Sequence, residues 1–320
     1  MTASPPDGKD PGWLGWSIDA YAPDEMARRV ETVGLAKAHQ DTLVTFALAV
    51  VAGAFVALGS AFSTVAMADT GLAYSLTRLL GGMAFSLGLV LVVVAGAELF
   101  TSNNLLVMAW ASRKIPLRRV LRNWGIVYVG NFVGVAITAV LLFATGHGAF
   151  GDHAVAAQAV ATAATKVSRT FPEAVAVGIL GNALVCLAVW IAFSARSTVD
   201  KIAAIMLPMT ALIAFEFDHV VANMHYLATG LLLVHGAPEV IEASGRSSAA
   251  ATITPAAALA NLPPVTLGNL IGGGLLVAAV YWFVYLRPPH RPHLRRPHVR
   301  AQRRAQGDEG VAGERRAGGS

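Results

Sequence analysis

Three ionisable side chains, Glu216, Asp218 and His219, fall within four positions of an otherwise apolar stretch. The uncharged run Ile202 to Phe215 precedes them, and Val220, Val221, Ala222, Asn223 and Met224 follow. An imidazole can give or take a proton near neutral pH, and neighbouring carboxylates can pair with cations or hold it charged. A second group stands upstream, where the uncharged run Leu79 to Ala97 meets Glu98 and then Thr101, Ser102 and Asn103. These hydroxyls can hydrogen-bond an imidazole or a solute oxygen. Asp218, His219 and Ser102 contain the parts of a hydrolytic set, but neither G-x-S-x-G nor H-E-x-x-H is present. Solute passage, not enzymatic catalysis, is the expected chemistry. The single cysteine, Cys186, lies in an apolar run, which excludes a disulfide framework and any cysteine metal cluster. No metal and no cofactor are expected.

The elements that carry these residues read as membrane spans. Only 13% of the 320 residues are charged, about half the share of a soluble domain, and Leu43 to Ala68 contains no charge at all. A helix needs about 20 mostly apolar residues to cross the hydrocarbon. The pattern predicts an all-α membrane protein with six spans, at roughly 43–67, 76–111, 123–146, 173–195, 202–234 and 263–286. No cleavable signal precedes the first span, which is expected to act as an anchor. Residues 1–42 form a cytoplasmic segment whose stretch 24–39 reads as an amphipathic helix lying on the membrane surface. Residues 287–320 form a basic tail with too little apolar surface to fold, read as a cytoplasmic extension and not as a nucleic-acid binder. Of the 24 Lys and Arg, four precede the first span, five lie in 112–122, two in 196–201 and nine in the tail. Positive charge collects on the cytoplasmic side, so both termini are predicted there, in a multi-pass protein of the cell membrane.

Spans two and five are each interrupted by polar residues, expected at mid-depth. Gly130-Asn131-Phe132-Val133-Gly134 in span three also matches Gly268-Asn269-Leu270-Ile271-Gly272 in span six. Paired broken helices in corresponding halves point to a transport site between two inverted three-helix repeats, an aquaporin-like plan. Ionisable groups inside a membrane usually line such a pathway or pair with one another. His219 is thus the expected centre, with the positive ends of half-helices favouring an anion. An aquaporin would carry paired Asn-Pro-Ala motifs. Here the breaks read Thr101-Ser102-Asn103 and Val221-Ala222-Asn223.

At these residues the chain resembles the formate/nitrite transporter family. The matching segments are AGAFVALGSAF, FSLGLVLVVVAGAELFTSN, GNALVCLAVWIAFSARSTVDK, FDHVVANM and NLPPVTLGNLIGGGLLVAAVYW, which together cover about 24–286. The resemblance implies a homopentamer in membrane lipid, with one pore per protomer passing a small monovalent anion. Formate leads, with nitrite, hydrosulfide or another short monocarboxylate as the alternative. It implies His219 as the pore histidine, Thr101 as its partner and Asn269 as a pore asparagine. Lys166 and Asn182 match residues that draw the anion in from the outer vestibule, Lys166 as an exposed electrostatic collector. Phe85, Leu89, Leu99, Phe100 and Leu212 fall where the family builds two apolar constrictions, which favour an anion neutralised by a proton from His219. One departure stands out: small residues are expected where Phe215, Glu216 and Phe217 stand. Glu216 and Asp218 are expected to modulate the pathway, Glu216 through the pore or through a protomer interface.

Overall fold

The computed structural model describes residues 20–288. The expectations for the segment before residue 20 and for the basic tail fall outside the described residues. Within them the chain is all helical: α1 Pro23–His39, α2 Thr42–Met67, α3 Tyr74–Ala95, α4 Leu106–Ala111, α5 Leu117–Ala144, α6 Ala154–Val167, α7 Phe171–Ala192, α8 Thr198–Ala214 and α9 Val220–Gly236. Two short helices follow, α10 Pro238–Ala243 and α11 Ser247–Ala250, and then one long rod of α12 Pro255–Asn269, a π-wound stretch Leu270–Ala279 and α13 Val280–Tyr285. Five helices are long and apolar enough to cross a membrane: α2, α3, α5, α7 and the Pro255–Tyr285 rod. The fifth expected span is divided between α8 and α9, of 17 residues each.

Local sequence fixes the ends. Asp41 caps α2 by accepting from the amides of Leu43 and Val44 at 2.8 and 3.2 Å, which holds its carboxyl below the usual carboxylate range. Thr170 with Glu173 and Ser197 with Asp200 form capping boxes at the starts of α7 and α8. α3 stops at Gly96, whose φ of +76° is a left-handed conformation that glycine adopts without strain. α8 stops just before Glu216, which holds φ +57°.

Two triplets of helices are evident in the packing. α2 lies against α3 and α5, and α7 against α8 and α12. The G-N-x-x-G repeats are where the axes come close. A Cβ on Gly134 would stand 1.9 Å from the carbonyl oxygen of Val50, and one on Gly272 would stand 2.0 Å from that of Ile179. The expected surface helix packs on the bundle. α1 buries Met26, Ala27, Val30, Gly34 and Ala38 and packs on α4, and its Glu31 pairs with Lys114 at 2.5 Å. The amide of Glu98 bonds to the carbonyl of Leu48, seventh residue of α2, and that of Asp218 to the carbonyl of Val177, seventh of α7. Each break therefore begins about 9 Å along its neighbouring helix, at 1.5 Å per residue.

Because backbone atoms cannot yield as side chains do, Gly134→Val and Gly272→Val should each destabilise the fold by at least the 1–3 kcal/mol typical of overpacking, estimated at roughly the upper end. Thermal melting in detergent reads this, and an unchanged midpoint for either variant would refute the close crossing.

Candidate functional site

Breaking a helix inside a bilayer leaves amides and carbonyls that no water can satisfy. Both breaks solve this with one asparagine of the G-N-x-x-G repeat. Asn131 Nδ2 donates to the carbonyls of Ala49 and Glu98 at 2.7 and 2.9 Å, and its Oδ1 accepts from the amide of Phe100 at 2.9 Å. Asn269 Nδ2 donates to the carbonyls of Gly178 and Asp218 at 2.8 and 3.0 Å, and its Oδ1 accepts from the amide of Val220 at 2.9 Å. Both side chains are fully buried.

The same duplication extends to the charges. Lys37 Nζ lies 3.1 Å from Glu98 and donates to Asn103 Oδ1 at 2.9 Å, while Asn103 Nδ2 donates to Glu98 at 2.5 Å and to Asn123 Oδ1 at 2.9 Å. In the second break Lys166 pairs with Asp218, and Asn223 Nδ2 donates to Asp218 at 3.1 Å and to Asn261 Oδ1 at 2.9 Å. Arg169 adds a contact of 2.7 Å to Asp218, so two cations face one buried carboxylate.

The breaks meet at Thr101 and His219. Thr101 Oγ1 and His219 Nε2 are 2.6 Å apart, and both residues are buried, His219 at 2% exposure. His219 is also the N-cap of α9, and its Nδ1 accepts the amide of Ala222 at 3.1 Å. A ring nitrogen that accepts carries no proton, so this is the neutral tautomer with the hydrogen on Nε2, donated to Thr101. The Thr101 hydroxyl then has its own hydrogen free to donate. Neither flanking acid bonds to the imidazole: Glu216 pairs with Tyr74 and Arg78, and Asp218 with Lys166, Arg169 and Asn223. Asn182 Nδ2 and Cys186 Sγ donate to the Thr101 carbonyl at 3.3 and 3.4 Å, and Asn182 also donates to the Asn269 carbonyl at 2.7 Å. The π-wound stretch after Asn269 supplies that carbonyl, since a change from α to π winding shifts the normal bonding register. Phe85 meets the His219 ring edge-on at 6.5 Å. Leu89, Leu99, Phe100 and Leu212 are buried in the same apolar cluster, and Phe100 rests edge-on against Tyr128 at 5.0 Å.

Several residues stand elsewhere than the sequence suggested. Lys166 is not an exposed collector: it is 7% exposed and committed to Asp218. Asn182 lies not in an outer vestibule but at the centre, between Thr101 and Asn269. Asn269 is no free pore amide, because both of its donor hydrogens hold backbone carbonyls. Glu216 turns away from His219: Tyr74 donates to its carboxylate at 3.0 Å, Arg78 stands 3.6 Å away, and its side chain is 39% exposed. Sequence reasoning missed Lys37, Glu98, Asn103 and Asn123 as a second polar cluster. A signal was present, since Glu98 and Asp218 each precede an asparagine by five positions and Asn123 and Asn261 precede the repeat asparagines by eight. On the α1 side, a cavity of about 330 Å³ adjoins this cluster, with Arg29, Lys37 and Lys201 on its wall.

Apolar spanning helices with two re-entrant breaks that join at a buried polar pair define a membrane channel or transporter. Residues 24–283 match the family model described as formate/nitrite transporter. The chain is 41% identical over 276 residues to the formate channel FocA of Escherichia coli K12, covering 84% of this chain and 96% of the relative. It is 35% identical over 269 residues to FocA of Haemophilus influenzae, covering 81% and 92%. Among solved structures it is similar to a pentameric formate channel with formate bound, with a TM-score of 0.72, 39% identity, and coverage of 77% of this chain and 98% of that one. The chain belongs to the formate/nitrite transporter family.

Asn131→Ala and Asn269→Ala each leave one amide and two carbonyls without a partner. With a typical cost of about 1–3 kcal/mol for a buried unsatisfied group, both variants should lower the melting midpoint markedly and by similar amounts. If one melts like the parent, its asparagine does not brace the break.

Proposed function

We propose that the chain conducts a small monovalent anion, formate first, through one pore per protomer of a homopentamer, with both termini cytoplasmic. The observation that carries this reading is the buried Thr101–His219 pair at the start of α9, where two broken helices meet among apolar side chains. In this reading the two triplets form inverted repeats, so Glu98 and Asp218 lie on opposite sides of the centre. The ion clusters of Lys37 and Lys166 then guard the two approaches. The outer one carries two cations against one carboxylate, and this net positive charge favours an arriving anion. Phe85, Leu89, Leu99, Phe100 and Leu212 form the constrictions that strip water. There the Thr101 hydroxyl, whose oxygen is held by His219 Nε2–H, donates to the anion. A weak acid crosses without net charge when the Thr101 Oγ–H proton passes to it, the Nε2–H proton passes to Thr101, and a hydronium ion arriving from an approach returns a proton to the ring. Glu216, paired with Arg78 on an exposed flank, faces the neighbouring protomer, since hydrocarbon is a costly surrounding for a carboxylate.

Proteoliposome flux of formate, nitrite and hydrosulfide in competition, at two pH values, tests the substrate. Formate should pass fastest and unaltered, and a preference for either competitor would reassign it. His219→Phe should remove the pH dependence of flux and leave an assembled protein, whereas pH-dependent uptake equal to the parent's would overturn the role of the imidazole. Lys166→Ala should lower apparent affinity almost equally at low and high salt, because a buried charge is poorly screened compared with the roughly 10 Å screening length of exposed charges at 0.1 M. An effect confined to low salt would mean that Lys166 acts as a solvent-exposed charge.

A further inference from the structure

A second buried histidine site lies apart from the pathway. Where α5 ends and α6 begins, a partly open cavity of about 30 Å³ is lined by α2, α5, α6, α9 and the turn His147–Ala149. That is room for about two water molecules. Two imidazoles line it, His147 from the turn and His225 from α9, six residues beyond His219. His225 is 2% exposed, and its Nδ1 has no partner, nor has the buried Nε2 of His147. The remaining polar lining is Thr64, whose hydroxyl donates to the Ser60 carbonyl at 3.0 Å and so keeps oxygen lone pairs for another donor, and Thr229, 3.5 Å from His225 Nε2. The rest is apolar, with Phe143, Ala159 and Leu233 among it.

Orphaned ring nitrogens in a mainly apolar cavity call for a partner that can both give and take hydrogen bonds. A divalent cation fits poorly, because no carboxylate lines the cavity to offset its charge. We propose that His147 and His225 are a water-bridged, proton-sensing pair that locks the α5–α6 turn onto α9 while both rings are neutral and releases it when either is protonated.

The surroundings offer no counter-charge. α2 carries no ionisable residue, and the basic residues of α5 lie at its other end, at Arg118, Arg119 and Arg122. On α6 Lys166 is committed to Asp218. On α9 the other ionisable groups are Tyr226, whose ring meets that of His225 edge-on at 6.0 Å, His219 as the N-cap and His235 in the last turn. On α10, which packs on α9, Glu239 and Glu242 are exposed. Asp152 is 3.6 Å from His153 and fully exposed. Burial pushes the His147 imidazole below its ordinary value of 6.5. The unfolded chain therefore binds the proton more readily, so the stability from the neutral pair is present above about pH 6.5 and is lost as pH falls below it.

Melting midpoints of the full-length protein in detergent from pH 7.5 to 5, for the parent, His225→Phe and His147→Gln, test the pair. Neither variant touches the pathway. The parent should lose about 2–4 °C more than either variant on acidification. Flux against pH in proteoliposomes should keep its His219-dependent profile in both variants. The melting arm does not depend on the channel reading, so the two can fail separately. Parallel melting curves for all three proteins would overturn the proposal, and His147→Gln alone decides it if the substitution within α9 prevents folding. So would a Zn²⁺-induced rise in the parent's midpoint at pH 7.5 that both variants lose, since the cavity would then be a metal site.

Discussion

Everything at the centre of this protein depends on satisfying backbone that leaves a helix inside a bilayer. Hydrocarbon offers no hydrogen bonds, so a re-entrant segment survives only if protein groups take the place of water. Asn131 and Asn269 do this with three bonds each, the full donor capacity of the amide and one acceptor. Their positions explain the glycines around them. The amides reach across to Ala49 and Gly178 only because α5 and α12 run close to α2 and α7, and Gly134 and Gly272 allow that approach. Close crossing and broken helix are one requirement, met by one five-residue motif used twice.

That motif was the most informative part of the sequence. Hydropathy marked the spanning runs, and the interruptions marked the breaks, because a long apolar stretch and a charge within it leave strong local traces. The pairing of the two halves was visible in the matched interruptions and in G-N-x-x-G. Its extension to Lys37, Glu98, Asn103 and Asn123 joins residues scattered over α1, the first break and α5, and left in the sequence only the matched five- and eight-residue spacings of the two halves. For the same reason Lys166 was misplaced. A lysine in a loop between spans reads as solvated, and only its contact with Asp218, 52 residues away, shows it buried. The resemblance to a family supplied Thr101 and His219 as partners, but not the tautomer, which rests on the amide of Ala222.

Glu216 shows how a backbone demand can appear as a chemical anomaly. It stands two residues before Asp218, as Gly96 stands two before Glu98, and both hold positive φ at the end of a helix. The position asks for a residue tolerant of the left-handed conformation, which is the physical content of the small residue expected there. A glutamate at this place bears a modest conformational cost, offset by Tyr74 and Arg78 and by Arg169, which donates to its carbonyl at 2.8 Å. The apparent intrusion of negative charge into an anion pathway dissolves once the side chain is seen to point away from the imidazole.

The charge arrangement has a further consequence for any weak acid that passes. The buried carboxylates of the two breaks are neutralised away from the centre, Glu98 by Lys37 and Asp218 by Lys166 and Arg169, and none of these groups bonds to His219. On the proposed function, the imidazole therefore meets a solute as a neutral base, at the positive end of α9, with its one proton shared with Thr101. A fixed cation at this point would bind an anion and hold it; a neutral ring in apolar walls binds it only as far as a proton accompanies it. On the proposed function, the separation of the ion pairs from the histidine is what keeps passage fast, because attraction acts at the approaches and is absent at the narrowest point.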